Sequence, residues 1–465
     1  MQLRLNDLTL VIKFDDKNEE KLIKKFITFK DSKRAFFGGK FHPEAVKDIC
    51  LGKDIKGYFV CFAGFTKEII VFAKENGIKI TKFDDVRTHF DFQKKEFTHD
   101  DYRKLFNPKF KYVEHQIRAL QAMVKTNTGL IVAPTSAGKS SIISAFIRLT
   151  KLPTLVLVNK VTLGNQIREG LMADGIDCGI CSGSGVRKGL NMVSTIQSVK
   201  KIGDFTRFKL LITDEVHNAS AAQFQDFLSQ FGCPLKFGFS ASPSRTGDYL
   251  GYAKIRQFFG SPIIKIESSE LMENEVMAKP HIYFVKNECK QDEYFDYQTA
   301  YNEEIINSEK RNNLVKDICD VYKEGILILV NMVEHGEILE NLLPGSKFIA
   351  GETSEADRQM YIKQFDKGEL PILIGSTILQ EGISITHMKC MILACGGKSN
   401  VAVLQKIGRS LRFKEGEKTD VDYYDFVDTA NFLSKHSKLR ASLYKKAGFN
   451  DIKLLNSDLS PIDKK

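Results

Sequence analysis

The sequence predicts an α/β chain: two tandem parallel-sheet lobes behind a small N-terminal α+β domain. Three observations carry this. Short β-rich runs alternate with helical periods from about residue 112 to 266, and a second block with the same rhythm runs from about 281 to 450. Strands separated by helices form parallel βαβ units. Residues 1 to about 100 open differently, with strand-like alternation at Leu3, Leu5, Leu8, Leu10 and Ile12. The length of 465 residues suits about three domains.

In order, the N-terminal domain is expected to hold a helix over Glu19 to Phe29, a loop with Phe36-Phe37-Gly38-Gly39 and a helix over Pro43 to Cys50. A strand from Gly57 to Phe62, a helix from Lys67 to Asn76 and a strand from Ile78 to Phe83 follow, then a polar linker over 87–111. Lobe one, 112–266, is expected to carry strands at Leu130 to Val132, Thr154 to Val158, Met192 to Ser194, Leu210 to Ile212 and Phe237 to Phe239. Helices fit at Ser140 to Leu149 and Thr162 to Ala173. The charged segment Glu267 to Pro280 reads as a hinge. Lobe two, 281–450, is expected to carry strands at Ile326 to Val330, Phe348-Ile349, Ile372 to Ile374, Met391 to Leu393 and Tyr423 to Phe426. Its helices fit Val333 to Leu343, Glu355 to Phe365 and Val401 to Leu411.

Composition bounds the class. Apolar residues are 43% and charged residues 27%, the mixture of a globular chain rather than a disordered or fibrous one. The longest apolar runs, such as Gly325 to Val330, fall far short of the ~20 residues that span a bilayer, so no membrane partner is expected. Met1 to Asp7 lacks a basic stretch followed by an apolar one and does not read as a secretory signal. Nine scattered cysteines fit a reducing, cytoplasmic setting. Cys178 and Cys181 form the one CxxC pair, and without a second pair they read as buried thiols. A net charge of +10 hints at a polyanionic partner.

Three segments carry chemistry. Ala133-Pro134-Thr135-Ser136-Ala137-Gly138-Lys139-Ser140 follows a predicted strand and opens a predicted helix, the setting of a phosphate loop. Backbone N–H groups of such a loop would cradle phosphates, Lys139 would reach the β- and γ-phosphates, and the Ser140 hydroxyl would hold Mg²⁺. Ala133 stands where the general pattern has its first glycine; a plain helix start is the other reading of Gly-Lys-Ser. Leu210 to His217 leads apolar residues into two carboxylates. There Asp214 would hold the magnesium and Glu215 would polarise the attacking water; a solvated turn is the alternative. In Gln405-Lys406-Ile407-Gly408-Arg409-Ser410-Leu411-Arg412, helical offsets of four and three put Gln405, Arg409 and Arg412 on one face. Such a guanidinium pair can serve as arginine fingers, or lie on a salt-bridged surface helix.

With these segments on the page, the chain resembles superfamily 2 helicases and translocases over about residues 112 to 430. Tyr112 and Gln116 look like the adenine-reading Q motif, Leu155 to Gln166 like motif Ia, and Val193 to Ser198 like motif Ib. Phe239-Ser240-Ala241-Ser242-Pro243 matches motif III, Ile328 to Asn331 is placed like motif IV, and Gly375 to Ile385 is like motif V. Two departures stand out: Ser384 occupies a commonly acidic place in motif V, and motif II reads Asp-Glu-Val-His. The compact build and small N-terminal module resemble phage recombination helicases of the UvsW type.

The resemblance implies two RecA-like lobes with ATP and Mg²⁺ between them, Lys139, Ser140, Asp214 and Glu215 from one and Gln405, Arg409 and Arg412 from the other. Gly382 would let the nucleotide approach closely. Ser240, Ser242 and His217 would couple the γ-phosphate state to lobe position. Asn159, Lys160, Thr195, Gln197, Ser376 and Thr377 would bind nucleic-acid phosphates without reading sequence. The implied substrate is DNA, forked or a four-way junction, handled by a monomer alongside other replication or recombination proteins. A duplex translocase of a restriction-type system and an RNA helicase are the rival readings. In the N-terminal module, Lys24, Lys25, Lys33, Arg34 and Lys40 beside Phe36 and Phe37 suit phosphate contact, or form a solvated basic loop. Lys435, Lys438, Arg440, Lys445 and Lys446 recur at helical spacing and read as a phosphate track or a solvated helix face.

Overall fold

The computed structural model describes residues 1–32, 36–37, 40–108, 112–243, 248–277, 280–376, 387–397, 420–446, 449 and 451–462. The chain divides into two compact units: Met1–Ala133 with Gly138–Ile266, and Pro134–Ala137 with Glu267–Lys465.

The N-terminal domain is a five-stranded sheet covered on one side by two helices. Its strands are β1 (Gln2–Leu5), β2 (Thr9–Lys13), β3 (Gly52–Ile55), β4 (Tyr58–Phe62) and β5 (Lys82–Asp85), in the order β3-β4-β2-β1-β5. Only β1 and β5 run parallel. Helix α1 (Lys17–Phe26) starts where the Asp16 carboxylate accepts from the Asn18 and Glu19 N–H groups, and Lys24 and Lys25 close it, opposing the dipole at that end. It ends short of the predicted Phe29 because the Thr28 hydroxyl donates back to Lys24 O at 2.6 Å and the chain enters a strand.

The helix expected over Pro43 to Cys50 is absent. Pro43–Ala45 makes one 3₁₀ turn, and Lys47–Cys50 pairs antiparallel with Thr28–Asp31. Ladder bonds to Thr28–Asp31 outweigh a weak local preference. The strand expected from Ile78 starts only at Lys82, since Ile78 is buried in the core and its N–H closes α2 (Thr66–Glu75) onto Ala73 O.

Lobe one holds α3 (Glu114–Val124), β6 (Thr128–Val132), α4 (Lys139–Thr150), β7 (Thr154–Val158), α5 (Val161–Ala173), β8 (Cys178–Ser182), β9 (Gly185–Arg187) and β10 (Asn191–Thr195). It continues with β11 (Leu210–Thr213), α6 (Ala222–Gln230), β12 (Leu235–Ser240), α7 (Tyr249–Phe259) and β13 (Pro262–Lys265). The sheet order is β9-β8-β10-β7-β11-β12-β6-β13, parallel except at β8–β9. All five predicted strands lie in it. Strand β8, unread in the sequence, buries Cys178 and Cys181, and burial pushes the Cys178 thiol up to about 11.

The N-terminal domain is fixed to this lobe. Glu68 accepts from Arg256 Nη1 and from Ser261 Oγ, both at 2.6 Å. Phe62 packs on Phe258 with ring centroids 4.4 Å apart. A Cβ at Gly64 would lie 2.1 Å from Arg256 O, so the backbones touch. Lys236 on β12 is fully buried and donates to Cys233 O at 2.8 Å and to Asp7 O.

Desolvation lowers the Lys236 ammonium from 10.5 to about 8. Below pH about 8 the folded protein carries the full penalty of the buried charge. Between about 8 and 10.5 the folded state releases this proton while the unfolded state keeps it, so stability rises with pH. Urea midpoints are expected to climb across that window, by up to ~1.4 kcal/mol per pH unit, and the climb should vanish in Lys236→Met. An equal slope in the variant would assign it to other groups.

Lobe two holds β14 (Pro280–Asn287), α8 (Glu309–Tyr322), β15 (Ile326–Leu329), α9 (Val333–Leu342), β16 (Ser346–Ile349) and α10 (Glu355–Asp366). Then come β17 (Ile372–Gly375), β18 (Cys390–Leu393), β19 (Val421–Asp428), α11 (Asn431–Lys446) and β20 (Ile452–Leu455). The order is β16-β17-β15-β18-β19-β14-β20, with parallel pairing throughout. The five predicted strands are all present; the helix expected over Val401 to Leu411 lies outside the described residues. Among the described residues no helix is long and apolar enough to cross a membrane.

Candidate functional site

In parallel α/β sheets, sites form beyond the carboxyl ends of the strands. Strand β6 passes into Ala133, whose N–H donates to Ser240 O at 3.0 Å, tying the loop to the end of β12. Thr135–Ala137 makes a 3₁₀ turn, and Gly138 (φ 70°, ψ 41°) caps α4. The left-handed backbone and the space both demand glycine there: an added Cβ would lie 2.2 Å from Gln116 Nε2. Gln116 is buried on α3, and Tyr112 stacks on His115 with centroids 5.6 Å apart. The two sequence elements read as a Q motif and a phosphate loop therefore meet at Gly138.

Strand β11 delivers the paired acids. Asp214 N–H bonds Leu157 O at 3.0 Å, extending the ladder by one residue, and Asp214 Oδ1 accepts the Glu215 N–H at 2.9 Å. Glu215 takes a left-handed backbone (φ 48°, ψ 51°), which strains a non-glycine residue by about 1–3 kcal/mol. Asn218 holds that turn, its N–H and Nδ2 both donating to Glu215 O at 3.0 and 3.1 Å. The turned carboxylate lies between two bases: Oε1 is 3.5 Å from Lys139 Nζ, and Oε2 is 3.3 Å from His217 Nδ1. His217 Nδ1 is also 3.2 Å from Ser240 Oγ, which accepts the Ser242 N–H at 3.2 Å. Lys139 and Glu215 have side chains only 6% and 11% exposed, so their attraction is little screened.

These groups fit a nucleotide triphosphate with Mg²⁺. Ser136 Oγ is buried with no hydrogen-bond partner among the described residues, in a loop that opens on a helix N-terminus. The Asp214 carboxylate and the exposed Ser140 hydroxyl are hard oxygen donors of the kind Mg²⁺ takes.

The expected phosphate contacts divide. Strands β7 and β10 are neighbours with Val158 opposite Thr195, so Asn159, Lys160 and Gln197 leave the same sheet edge together. Lys160 and Gln197 are exposed and Asn159 is half-buried, whereas Thr195 is buried. Ser376, the residue after β17, is buried, its N–H on Ile349 O at 3.3 Å. Thr377, Gly382, Gln405, Arg409 and Arg412 lie outside the described residues, as do Lys33 and Arg34 and the side chains of Phe36, Phe37 and Lys40.

Arg440 corrects an expectation. It is fully buried, not part of a surface track, because Asp425 on β19 takes it in a bidentate pair at 2.8 and 2.9 Å. It belongs to a clamp that sequence reasoning missed. Arg311 donates to Ala394 O, Asn331 Nδ2 to Gly396 O at 3.0 Å, and Arg440 Nη1 to Gly397 O at 3.0 Å. Three elements thus hold the carbonyls just upstream of the Gln405–Arg412 segment. Asp425 and Asp428, two acids inside a strand-like run, were the available signal, since buried carboxylates need buried cations.

Residues 109–245 match the family described as type III restriction enzyme, res subunit, and residues 309–414 match the helicase conserved C-terminal domain. The DNA 3'-5' translocase XPB2 of Sulfurisphaera tokodaii is 24% identical over 67% of this chain and 81% of its own. The ATP-dependent DNA helicase uvsW of Enterobacteria phage T4 is 27% identical over 68% of this chain and 72% of its own. In fold, the type ISP restriction-modification enzyme LlaBIII is similar over 84% of this chain and 34% of its own, with TM-score 0.56 and 13% identity. With both helicase domains in tandem, the chain is an ATP-dependent helicase or translocase of superfamily 2, related to UvsW and XPB.

Proposed function

We propose that the chain uses ATP hydrolysis to move on DNA and remodel branched DNA, regressing forks and migrating four-way junctions during phage recombination, repair or replication. The observation that carries the motor is the unbroken line from Lys139 through Glu215 and His217 to Ser240 and the Ser242 N–H. It joins the phosphate loop to the loop after β12 without leaving hydrogen-bond range by more than a few tenths of an ångström. DNA as substrate is supported by the names of the two sequence relatives.

In this reading the loop N–H groups and Lys139 bind the triphosphate, and Asp214 with Ser140 would hold Mg²⁺, which when bound neutralises phosphate charge. Glu215 orients the attacking water and accepts its proton at a carboxylate oxygen. As the terminal phosphate leaves, Lys139 loses an anion and turns to Glu215, which redistributes the His217 contact toward Ser240. Arg409 and Arg412 supply transition-state charge from the second lobe. Lys160, Asn159 and Gln197 hold backbone phosphates, so lobe closure steps the chain along a strand. The chain works in the cytoplasm as a monomer, with replication or recombination proteins as further partners.

The match to a restriction-enzyme subunit favours one second reading, a duplex translocase that does not separate strands. ATP hydrolysis with matched single-stranded, duplex, forked and four-way-junction DNA, and an RNA fork, decides. Strongest stimulation by forks or junctions with exchange of labelled strands is expected. Equal stimulation by linear duplex without exchange selects the translocase, and stimulation by RNA alone overturns the DNA assignment.

A further inference from the structure

The N-terminal sheet has two unlike faces. Alternation sends Leu3, Leu5, Leu10, Ile12, Phe59 and Cys61 to the side packed under α1 and α2. The other side faces solvent except at its Phe62 end, which packs on Phe258 of lobe one, and its register is informative. One row across the sheet reads Asp84, Arg4, Val11, Val60, Lys53. On the same face Lys82 lies opposite Gln2, which lies opposite Lys13, and Tyr58 lies opposite Ile55 at the hairpin end.

A solvated antiparallel face is ordinarily polar throughout. This one has a valine centre, with Ile55 and Tyr58 49% and 45% exposed. Its cations are also unusual. Lys13, Lys53 and Lys82 are exposed and meet no carboxylate among the described residues. Arg4 alone has one, Asp84 at 3.6 Å, an exposed pair of little energy. The helical side differs: Lys24, expected from sequence to touch phosphate, is taken by Glu20 and Asp54 at 2.6 and 2.8 Å. The hairpin that carries Ile55 and Tyr58 turns at Lys56 and Gly57, both at positive φ (50° and 82°), a tight turn that adds one more lysine at its tip.

Unpaired cations around an apolar, aromatic-bearing surface suit a chain of phosphates whose bases are unstacked. Five strands at about 4.8 Å give a platform some 20 Å wide, room for about three nucleotides. We propose that the open face of the N-terminal sheet binds a single nucleic-acid strand, Arg4, Lys13, Lys53 and Lys82 meeting phosphates and Tyr58 stacking a base. This rests on the reading that the chain works on DNA. Sheet binding to one strand would place an unpaired arm of a fork on the N-terminal domain.

The test uses the full chain and fluorescence anisotropy with labelled oligo-thymidylate and a matched duplex over a salt series. The triple variant Lys13→Glu, Lys53→Glu, Lys82→Glu is expected to weaken oligo-thymidylate binding at least about 10-fold and to flatten the log–log salt slope by about 2. Tyr58→Ala, which leaves charge unchanged, is expected to weaken it about 5-fold or more. Melting temperature and ATPase without DNA should match the wild type in both. Unchanged affinity and slope in both variants overturns the proposal. Loss on duplex alone, with Tyr58→Ala silent, also overturns it and makes the face a duplex contact. A wild type whose ATPase no DNA stimulates would instead fail the motor reading.

Discussion

Glu215→Gln is expected to lower ATP turnover by about 10²–10⁴-fold while nucleotide and DNA binding persist. The substitution is nearly isosteric, so it keeps the left-handed turn and the Asn218 bonds to the Glu215 carbonyl. It removes the proton acceptor and leaves the Lys139 ammonium, 3.5 Å away, facing a neutral amide. Steady-state hydrolysis with and without DNA, beside equilibrium binding of a labelled nucleotide, separates the two effects. Turnover retained in both Glu215→Gln and Lys139→Ala would remove the catalytic assignment. Turnover lost together with nucleotide affinity in Glu215→Gln would make Glu215 a binding group.

The second large effect concerns stability. Arg440→Met is expected to destabilise lobe two by about 3–5 kcal/mol, because it strands a buried carboxylate. Among the described residues, Asp425 would keep only the Tyr444 hydroxyl at 2.8 Å and its neighbour's N–H at 2.7 Å. The carbonyls of Gly397 and Phe426 would lose donors as well. Pairing the change with Asp425→Leu removes the orphaned charge and should recover much of the loss. Urea titration followed by tyrosine fluorescence reads both. A single variant within about 1 kcal/mol of wild type would mean water reaches Asp425 and the pair is not sealed.

Much of the architecture was legible because parallel βαβ units advertise themselves locally. Every run of consecutive aliphatic residues assigned to a strand in the two lobes is a strand, since such runs are buried on both faces. The loop from Ala133 to Ser140 and the paired acids Asp214 and Glu215 were legible for a related reason: each is a compact run placed directly at a strand end. What escaped depends on partners distant in sequence. Strand β8 contains Cys-Gly-Ile-Cys-Ser, a poor strand by composition, and forms because β10 offers it a parallel edge. Lys47–Cys50 became a strand only through Thr28–Asp31. Arg440 looked like one more cation on a basic helix until Asp425, fifteen residues earlier, drew it inside. The outer face of the N-terminal sheet was unreadable because rows across strands exist only once register is set.

The seating of the N-terminal domain on lobe one has a practical consequence. Ala253 of α7 belongs to the N-terminal core, and Phe62 of the N-terminal sheet packs against the lobe-one core. The boundary is therefore no perforation along which the chain can be torn. Cutting away residues 1–90 would strip Arg256 of its counter-ion, Lys236 of one of its two carbonyls and Phe258 of its ring partner. A trimmed protein that fails in an assay would be reporting a wounded lobe, not a missing tool. Point changes on the exposed sheet face are the scalpel this chain allows. By the same logic, grafting the domain onto another motor would require carrying α7 and the first residues of β12 along with it.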